Sequence, residues 1–398
     1  MSNPSSANLA QMSNHQNARW RNPAQIIGLW EQADKVDPRA LQHKVRGQWW
    51  DVLAEHGVTL LVTREYEHLV LALRPNRNGG SVSFMRTPHP SGLAVDRRRG
   101  IVHLASTRNP NQVIDMRPVR QLIDRLDKPA RGKLDNPLIP MRSRFFAGCL
   151  YLHDLAMVGG QLHANAVGQN AVVRLHDNGC YERVWWPKSI EQGGPTAFGR
   201  NYLQLNSIAA GPDLAGSYFS ASTPTISARW PGHRNFPVGG RGVIFCGTTR
   251  QPIVHGLTRP HSARLYRKQI WVDNSGYGEL GIARDGRFES LAKLPGWTRG
   301  LCLHDGVAFV GVSRIIPRFA AYAPGLEVDE ATCGVHAVQT ASGKVLGSIS
   351  WPCGNQIFAV EWVPRSFTGG FPTWGRRSAR SVGATELFYA FETRDNSE

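Results

Sequence analysis

The sequence predicts an all-β fold, a six-bladed β-propeller, and three observations carry this prediction. From residue 58 onward, short runs of Val, Ile, Leu and aromatic residues alternate with Gly, Asn and Asp turns, which is typical of antiparallel sheet. A five-residue pattern returns six times along the chain. The strands before its first copy lack an inner strand, and the last copy lacks outer strands. Two separate β-sandwiches are the alternative fold.

Each copy of the pattern begins with a residue that is usually polar and ends in a short, alanine-rich apolar strand. The first residues of the copies are separated by 62, 53, 55, 38 and 58 positions, lengths that hold a four-stranded blade and a variable loop. The copies begin at Ser91, His153, Asn206, His261, Arg299 and, more loosely, Ile357. We expect residues 357–362 to form the inner strand of a blade whose outer strands are residues 59–85, so that both chain ends close the ring.

Outside the blades, the sequence predicts two tails and one clear helix. Residues 1–36 are expected to form a polar, partly disordered tail, and residues 393–398 a short C-terminal tail. Asp37 as cap, Pro38 at the first position and Gly57 at the end predict a helix over 37–57, packed on a propeller of residues 58–392. A second, short helix is expected at 116–126.

Three long insertions interrupt the pattern, and any of them could cover one face of the ring. They span residues 117–148, 222–241 and 315–333.

Composition limits the compartment and the partners. The net charge is +16 and the pI about 10.1, but most of the 46 basic residues are scattered arginines without a nucleic-acid-binding motif, so nucleic acid is not expected as a partner. No apolar stretch is long enough to span a membrane, and the N-terminus lacks the pattern of a secretion signal. The six cysteines form no C-x-x-C pair, which favours a reducing compartment, so a cytoplasmic location is expected.

In a propeller, the first residues of the copies converge around the central channel. Buried polar groups need partners, so this ring predicts a site. We expect the catalytic residues to be His153, His261, Arg299 and the adjacent Asp154. The substrate-binding residues are expected to be Asn206, Arg299, Ser91 and Arg314.

Three interpretations of the ring stay open. The first is a divalent transition metal held by His153 and His261, with Asn206 or Asp154 as an oxygen donor. The second is a metal-free pocket in which Arg299 binds an anion and a histidine acts as general acid or base. In the third, the side chains only hydrogen-bond to neighbouring blades and to water. The Gly276-Tyr277-Gly278-Glu279-Leu280-Gly281 run matches a nucleotide-binding pattern, but strands flank it on both sides, so we interpret it as a hairpin turn.

Four motifs resemble a bacterial family of propeller-like proteins without assigned activity. They are His153-Asp154-Leu155-Ala156, Pro260-His261-Ser262, Thr298-Arg299-Gly300-Leu301 and Phe309-Val310-Gly311-Val312-Ser313-Arg314, and the resemblance extends from Gly92 to Phe358. The family's third repeat implies His-Leu-Asn-Gly where this chain has Gln204-Leu205-Asn206-Ser207, which weakens any metal site at position 204. More distantly, the ring is similar to gluconolactonase and strictosidine-synthase-type six-bladed propellers, whose active site lies in the central channel.

The sequence thus favours a propeller that binds a small anionic molecule, whether or not it is an enzyme. The rival is a non-catalytic propeller whose insertions and basic surface recruit a protein or a polyanion. Oligomeric state stays undetermined at this point.

Overall fold

The computed structural model describes residues 23–108, 111–119, 121–122, 135–227, 229, 231, 236, 238–375, 384–386 and 391–392. The tail segments 1–22 and 393–398 lie outside the described residues. Within the part expected to be a tail, Pro23–Asp34 form a helix, α1.

The region 37–57 contains a helix, but it is much shorter than predicted. Asp37 accepts a hydrogen bond from Arg39 N at 2.9 Å, which caps only a single 3-10 turn, Pro38–Leu41. The chain then forms strand β1 (Lys44–Gly47), followed by helix α2 (Trp49–Glu55). The expectation of one continuous helix is wrong: β1 pairs with a strand of the propeller, and this tertiary pairing overrides the local helix signals.

The remaining strands form antiparallel sheets arranged as blades. The sheet that closes the ring, here blade six, starts with β2 (Val58–Arg64), β3 (Leu69–Asn76) and β4 (Gly79–Arg86). Blade one contains β5 (Pro90–Asp96), β6 (Ile101–Ser106), β7 (Gln112–Pro118) and, after the short β8 (Gln121–Leu122), β9 (Leu138–Phe145). Blade two contains β10 (Leu152–Val158), β11 (Gln161–Ala166), β12 (Ala171–Leu175) and β13 (Tyr181–Trp185).

The second half of the chain continues in the same way. A one-turn helix, α3 (Lys188–Glu191), precedes blade three, with β14 (Leu205–Ala209), β15 (Tyr218–Ala221), β16 (Gly242–Cys246) and β17 (Pro252–Leu257). Blade four contains β18 (Pro260–Tyr266), β19 (Gln269–Asn274), β20 (Glu279–Arg284) and β21 (Arg287–Lys293). Blade five contains β22 (Trp297–His304), β23 (Val307–Ser313), β24 (Gly334–Gln339) and β25 (Val345–Ser350), to which β1 adds a fifth strand.

Both ends of the chain build blade six, which confirms the predicted closure. Strand β26 (Val360–Pro364) is the inner strand and pairs antiparallel with β2. Just before it, Phe358 N donates to Thr63 O and Ala359 N donates to the Thr63 hydroxyl, each at 2.8 Å. Strands β27 (Thr373–Gly375) and β28 (Ala384–Glu386) extend the outer edge, and β29 (Phe391–Glu392) pairs with β8. The six-bladed propeller is therefore the observed fold.

The recurring strand carries small residues because the inner strands approach closely around the axis. A Cβ placed on Gly92 would lie 2.5 Å from Leu155 N of the next blade, and one on Gly300 would lie 3.0 Å from Val360 N. The hydrophobic core lies between the blades, where one sheet face packs on the next.

The structure also tests two further expectations, the helix at 116–126 and the turn at Gly276. The helix expected at 116–126 is instead the end of β7 and strand β8 within its described residues, because β7 bonds with β6 and β9. The Gly276 run forms a 3-10 turn, Ser275–Tyr277, between two strands, as interpreted from the sequence. In the part of the chain that the structure describes, no helix is long and apolar enough to cross a membrane.

Candidate functional site

A β-bulge precedes the apolar part of the inner strand in five blades. It leaves one extra residue on the inner strand and turns the side chains of that segment away from the regular pleat. The register shifts lie between Pro90 and Leu93, Leu152 and Leu155, Leu205 and Ser207, His261 and Arg264, and Thr298 and Leu301. The first residues of the predicted copies therefore lie at equivalent backbone positions.

The sixth equivalent residue is Phe358, which corrects the looser assignment to Ile357. Gly92 approaches Leu155 N of the next blade as Gly300 approaches Val360 N, so Val360 corresponds to Leu155. Two residues earlier, Phe358 therefore corresponds to His153. Ile357 itself is fully buried.

Phe358 is the apolar member of the ring, and its side chain, on which three polar members pack, is here called the floor. Its ring centroid lies 5.0 Å from that of His153 and 5.8 Å from that of His261, edge to face in both cases. The Arg299 guanidinium lies over the same ring, with Cζ 3.5 Å from the centroid. Three polar residues, from blades two, four and five, thus pack on this one aromatic ring, which is 2% exposed.

Hydrogen bonds tie the ring residues together. The two imidazole centroids of His153 and His261 are 5.7 Å apart. Arg299 Nε donates to His261 Nε2 at 3.1 Å. With the Gln356 amide oriented so that its oxygen faces Arg299 Nη1, that oxygen accepts from the guanidinium and the amide nitrogen donates to Glu65 Oε2 at 3.0 Å.

Both histidines of the ring are held neutral. Burial lowers the pKa of His153 well below its ordinary value, and the positive charges of Arg299 and Arg259 lower it further. Burial and the Arg299 charge do the same to the pKa of His261. Burial also lowers the pKa of Arg299 to about 10, which leaves it charged at neutral pH.

A cavity of about 530 Å³ opens above this floor and contains His153, Asn206, His261 and Arg299. This volume is in the range of pockets for small organic molecules. Its aromatic lining comes from Tyr66, Tyr151, Trp297 and Tyr322. Tyr322 and Pro231 belong to two of the long insertions, so these insertions contribute to the covered face, as the sequence analysis allowed.

Sequence reasoning missed a second set of lining residues, located two positions before the ring residues. These are Tyr151, Gln204, Arg259, Trp297 and Gln356. Three of them have a left-handed backbone, with φ of 51° at Tyr151, 51° at Gln204 and 54° at Arg259. The repeat itself held the signal, since a residue at a fixed offset from each ring position lies at an equivalent place.

Arg259 is the least compensated cation of the cavity. Its Nε and Nη1 atoms are buried without a hydrogen-bond partner among the described residues, and its Cζ lies 4.6 Å from the Tyr322 ring centroid. Burial lowers the pKa of Arg259 to about 10. Arg108, Arg200 and Arg299 line the same cavity, whereas Glu65 is the only carboxylate among its described lining residues. The cavity therefore has a positive potential.

Asp154, expected beside His153 in the chemistry, does not line the cavity. Arg264 Nη1 donates to Asp154 Oδ2 at 2.7 Å and Nη2 to Oδ1 at 3.1 Å. Ile208 N donates to the same carboxylate at 3.0 Å. Asp154 thus holds blades two, three and four together on the other side of the floor, since Arg264 belongs to a separate cavity of about 190 Å³.

Of the other predicted binding residues, one lines the cavity and two do not. Asn206 lines the cavity, and its amide nitrogen donates to Pro260 O at 2.8 Å. Ser91 is fully buried and donates to Leu152 O at 2.8 Å, so its hydroxyl joins two blades. Arg314 donates to Pro352 O at 2.7 Å and is absent from the described lining.

The metal interpretation needs a free nitrogen lone pair on both histidines, and His261 does not offer one. His261 Nε2 accepts from Arg299, and His261 Nδ1 contacts the Ser262 hydroxyl at 2.8 Å, so both ring nitrogens are occupied. Among the described residues, no group of three or more His, Cys, Asp or Glu side chains could hold a metal ion. The geometry therefore favours the anion pocket over a cation beside Arg299.

Comparison with known proteins establishes the family. The model of the domain of unknown function DUF4915 matches residues 47–369, so the chain belongs to that family. This agrees with the resemblance seen in the sequence motifs. No curated protein matches the chain.

Solved structures give only distant similarities. A nidogen/laminin complex is 11% identical, with 77% of this chain and 98% of that chain covered and a TM-score of 0.49. A gluconolactonase from Xanthomonas campestris is 12% identical, with 75% and 86% covered and a TM-score of 0.43. A putative 6-phosphogluconolactonase from Bacteroides uniformis is 12% identical, with 77% and 100% covered and a TM-score of 0.43. Such values carry no information on the ligand of this chain.

Proposed function

We propose that this member of the DUF4915 family binds a small organic anion in the cavity above Phe358. The observation that carries the proposal is the Arg259 guanidinium in the cavity wall, whose Nε and Nη1 atoms are buried and unpaired among the described residues. Buried charges in proteins are normally paired, so an unpaired guanidinium beside a cavity calls for an anion from solution.

The other lining groups define the chemical class of that anion. Arg259 and Arg299 both act on the two imidazoles, so their positive fields overlap at the cavity floor. Overlapping guanidinium charges favour a phosphate monoester or a polycarboxylate over a singly charged ion. The aromatic and carboxamide side chains of the wall would contact the uncharged part of the ligand.

A second candidate function is proton transfer at His153. Its Nδ1 atom is buried without a hydrogen-bond partner among the described residues, and a neutral imidazole is the form that accepts a proton. An anion bound beside it would offset the Arg299 and Arg259 charges and raise the pKa of His153. Turnover that disappears in His153→Gln while anion affinity persists would support catalysis; unchanged turnover would reject this role.

The interaction-propeller alternative finds less support. A second basic groove, between blades one and two, is lined by Arg99, Arg144 and Arg174. The Asp177 carboxylate offsets the positive charge of this groove, since Arg99 and Arg144 lie 3.7 and 3.4 Å from that carboxylate. A cytoplasmic location belongs to our proposal and agrees with six free cysteines.

The decisive experiment measures anion binding with matched arginine variants. Inorganic phosphate, citrate and a set of phosphate monoesters are screened by thermal unfolding, and affinities are measured by calorimetry. We expect Arg259→Gln to lower the affinity at least about tenfold, since a charge-assisted pair is lost. Arg287→Gln, on the exposed outer strand of blade four, is the control. Equal affinity in wild type and Arg259→Gln, or no stabilisation by any of these anions, rejects the proposal.

Elemental analysis separates the metal interpretation from the anion pocket. Stoichiometric transition metal in the purified protein that is lost in both His153→Ala and His261→Ala would contradict the anion pocket. Equal, negligible metal in all three proteins would reject the metal centre.

A further inference from the structure

Ser262 occupies an unusual backbone position directly after His261. Its φ is 54°, in the left-handed region that serine rarely adopts. Gly300, which follows Arg299 at the equivalent position of blade five, has φ 90°. A glycine would therefore suit the Ser262 backbone better. Strain retained at a functional site suggests that the side chain has a role there.

The Ser262 hydroxyl is at the centre of a buried hydrogen-bond chain. It lies 2.8 Å from His261 Nδ1 and accepts from Gly300 N at 2.7 Å. On the other side of the same imidazole, Arg299 Nε donates to His261 Nε2 at 3.1 Å. Ser262 and Arg299 are thus linked through one histidine ring.

Donor and acceptor counting assigns the protons in this chain. A guanidinium can only donate, so His261 Nε2 must be the bare nitrogen. The proton of the neutral ring then lies on Nδ1 and is donated to Ser262 Oγ. With bonds accepted from His261 and Gly300, the hydroxyl still has its own proton to donate.

Asp273 is the group next to this hydroxyl that lacks a partner. It is fully buried and lies directly opposite His261 in the β18–β19 pair. Neither of its carboxyl oxygens has a hydrogen-bond partner among the described residues. Burial raises the pKa of Asp273 well above its ordinary value, and the Ser262 hydroxyl acts in the opposite direction. Even the neutral acid keeps a carbonyl oxygen as acceptor.

We infer that Ser262 is a positioning residue that fixes the tautomer of His261 and thereby directs the Arg299 guanidinium into the anion pocket. The inference rests on the proposed function only where it concerns affinity for an anion. Without the hydroxyl acceptor, His261 can move its proton to Nε2, where it faces the Nε–H of Arg299. Two donors then oppose each other, and Arg299 leaves its place.

The first test is made on the unaltered protein. Nuclear magnetic resonance with ¹⁵N-labelled histidine distinguishes a protonated ring nitrogen from a bare one, and His261→Gln identifies the signals. We expect Nδ1 protonated and Nε2 bare at pH 7. A proton on Nε2 overturns the inference without any variant.

The second test compares two serine-to-glycine variants. Ser262→Gly suits the left-handed backbone and removes only the hydroxyl. Ser217→Gly is the control, because Ser217 is also fully buried and accepts from a glycine N–H, that of Gly211, at 2.9 Å, but at a distant turn of blade three. We expect Ser262→Gly alone to shift the His261 proton toward Nε2 and to lower the affinity for inorganic phosphate about tenfold. An unchanged tautomer in Ser262→Gly overturns the inference.

The two readouts keep this inference separate from the proposed function. If inorganic phosphate and the other anions fail to bind wild type but Ser262→Gly shifts the His261 tautomer as expected, the positioning role of Ser262 is supported and the anion pocket is rejected. If Arg259→Gln loses affinity for anions but Ser262→Gly leaves the His261 tautomer unchanged, the anion pocket is supported and the positioning role of Ser262 is rejected.

Discussion

Arg299 Nε donates a hydrogen bond to His261 Nε2 over 3.1 Å, and both side chains line the channel cavity. This bond occupies the lone pair that a metal would need, and it brings a permanent cation to the floor of the cavity. A blade-four residue and a blade-five residue thus form one unit above Phe358. The predictions below test that unit and the ring that holds it.

Replacing Phe358 should affect both stability and anion affinity. Phe358→Ala removes a ring that is 2% exposed, so we expect a loss of about 3–5 kcal/mol in the free energy of unfolding. It also removes the aromatic face beneath Arg299, worth about 0.5–2 kcal/mol, so anion affinity should fall by about 2- to 30-fold. Phe219→Ala, in the blade-three core, is the control and should lower stability without changing affinity. Equal affinities in both variants would exclude a role for the Phe358 ring in binding.

Asp154 should matter for stability and not for anion binding. Asp154→Asn leaves the partly buried Arg264 guanidinium without its carboxylate partner, which we expect to cost about 3–5 kcal/mol in denaturant unfolding. Asp305→Asn, which removes an exposed pair with Arg267, should cost less than about 1 kcal/mol. A folded Asp154→Asn protein with greatly weakened anion binding would restore the catalytic or binding role expected from the sequence.

The protein should lose stability as the pH falls from 7 to 5. Burial lowers the pKa of His336 to about 4, and it lowers the pKa values of His153 and His261 well below the ordinary 6.5. Between these values and about 6.5 the unfolded chain binds more protons, so acid favours unfolding. Each such histidine contributes a slope of up to about 1.4 kcal/mol per pH unit. Urea unfolding at several pH values measures the slope, which His336→Gln should reduce by one histidine's share; an identical slope would contradict this.

Two threonines of strand β2 offer a matched test of ring closure. The Thr63 hydroxyl donates to Ser91 O at 2.7 Å and accepts from Ala359 N at 2.8 Å, so it links blade six to blade one and to the last inner strand. The Thr59 hydroxyl is equally buried but has no partner among the described residues. We expect Thr63→Val to destabilise the fold by about 1–3 kcal/mol, since Ala359 N is left unpaired, and Thr59→Val to be neutral or stabilising. Equal effects in thermal unfolding would show that the closure does not depend on this hydroxyl.

The sequence by itself determined the ring. Repetition at blade-length spacing predicted six sheets, and the missing strands at the two ends predicted their union in blade six, which β26 and β2 confirm. Both results follow from burial patterns and strand pairing, which are local or periodic properties of a chain. The same repeat placed His153, Asn206, His261 and Arg299 around one cavity.

The tertiary structure alone decided which way each side chain points. The bulges send His153 to one side of the Phe358 floor and its neighbour Asp154 to the other, where Arg264 of another blade binds it. Arg259, two positions before His261, has a left-handed backbone and lines the same cavity. The orientation of a side chain depends on the local backbone twist, and its hydrogen-bond partners come from residues far away in the chain. A linear pattern of residue types encodes neither.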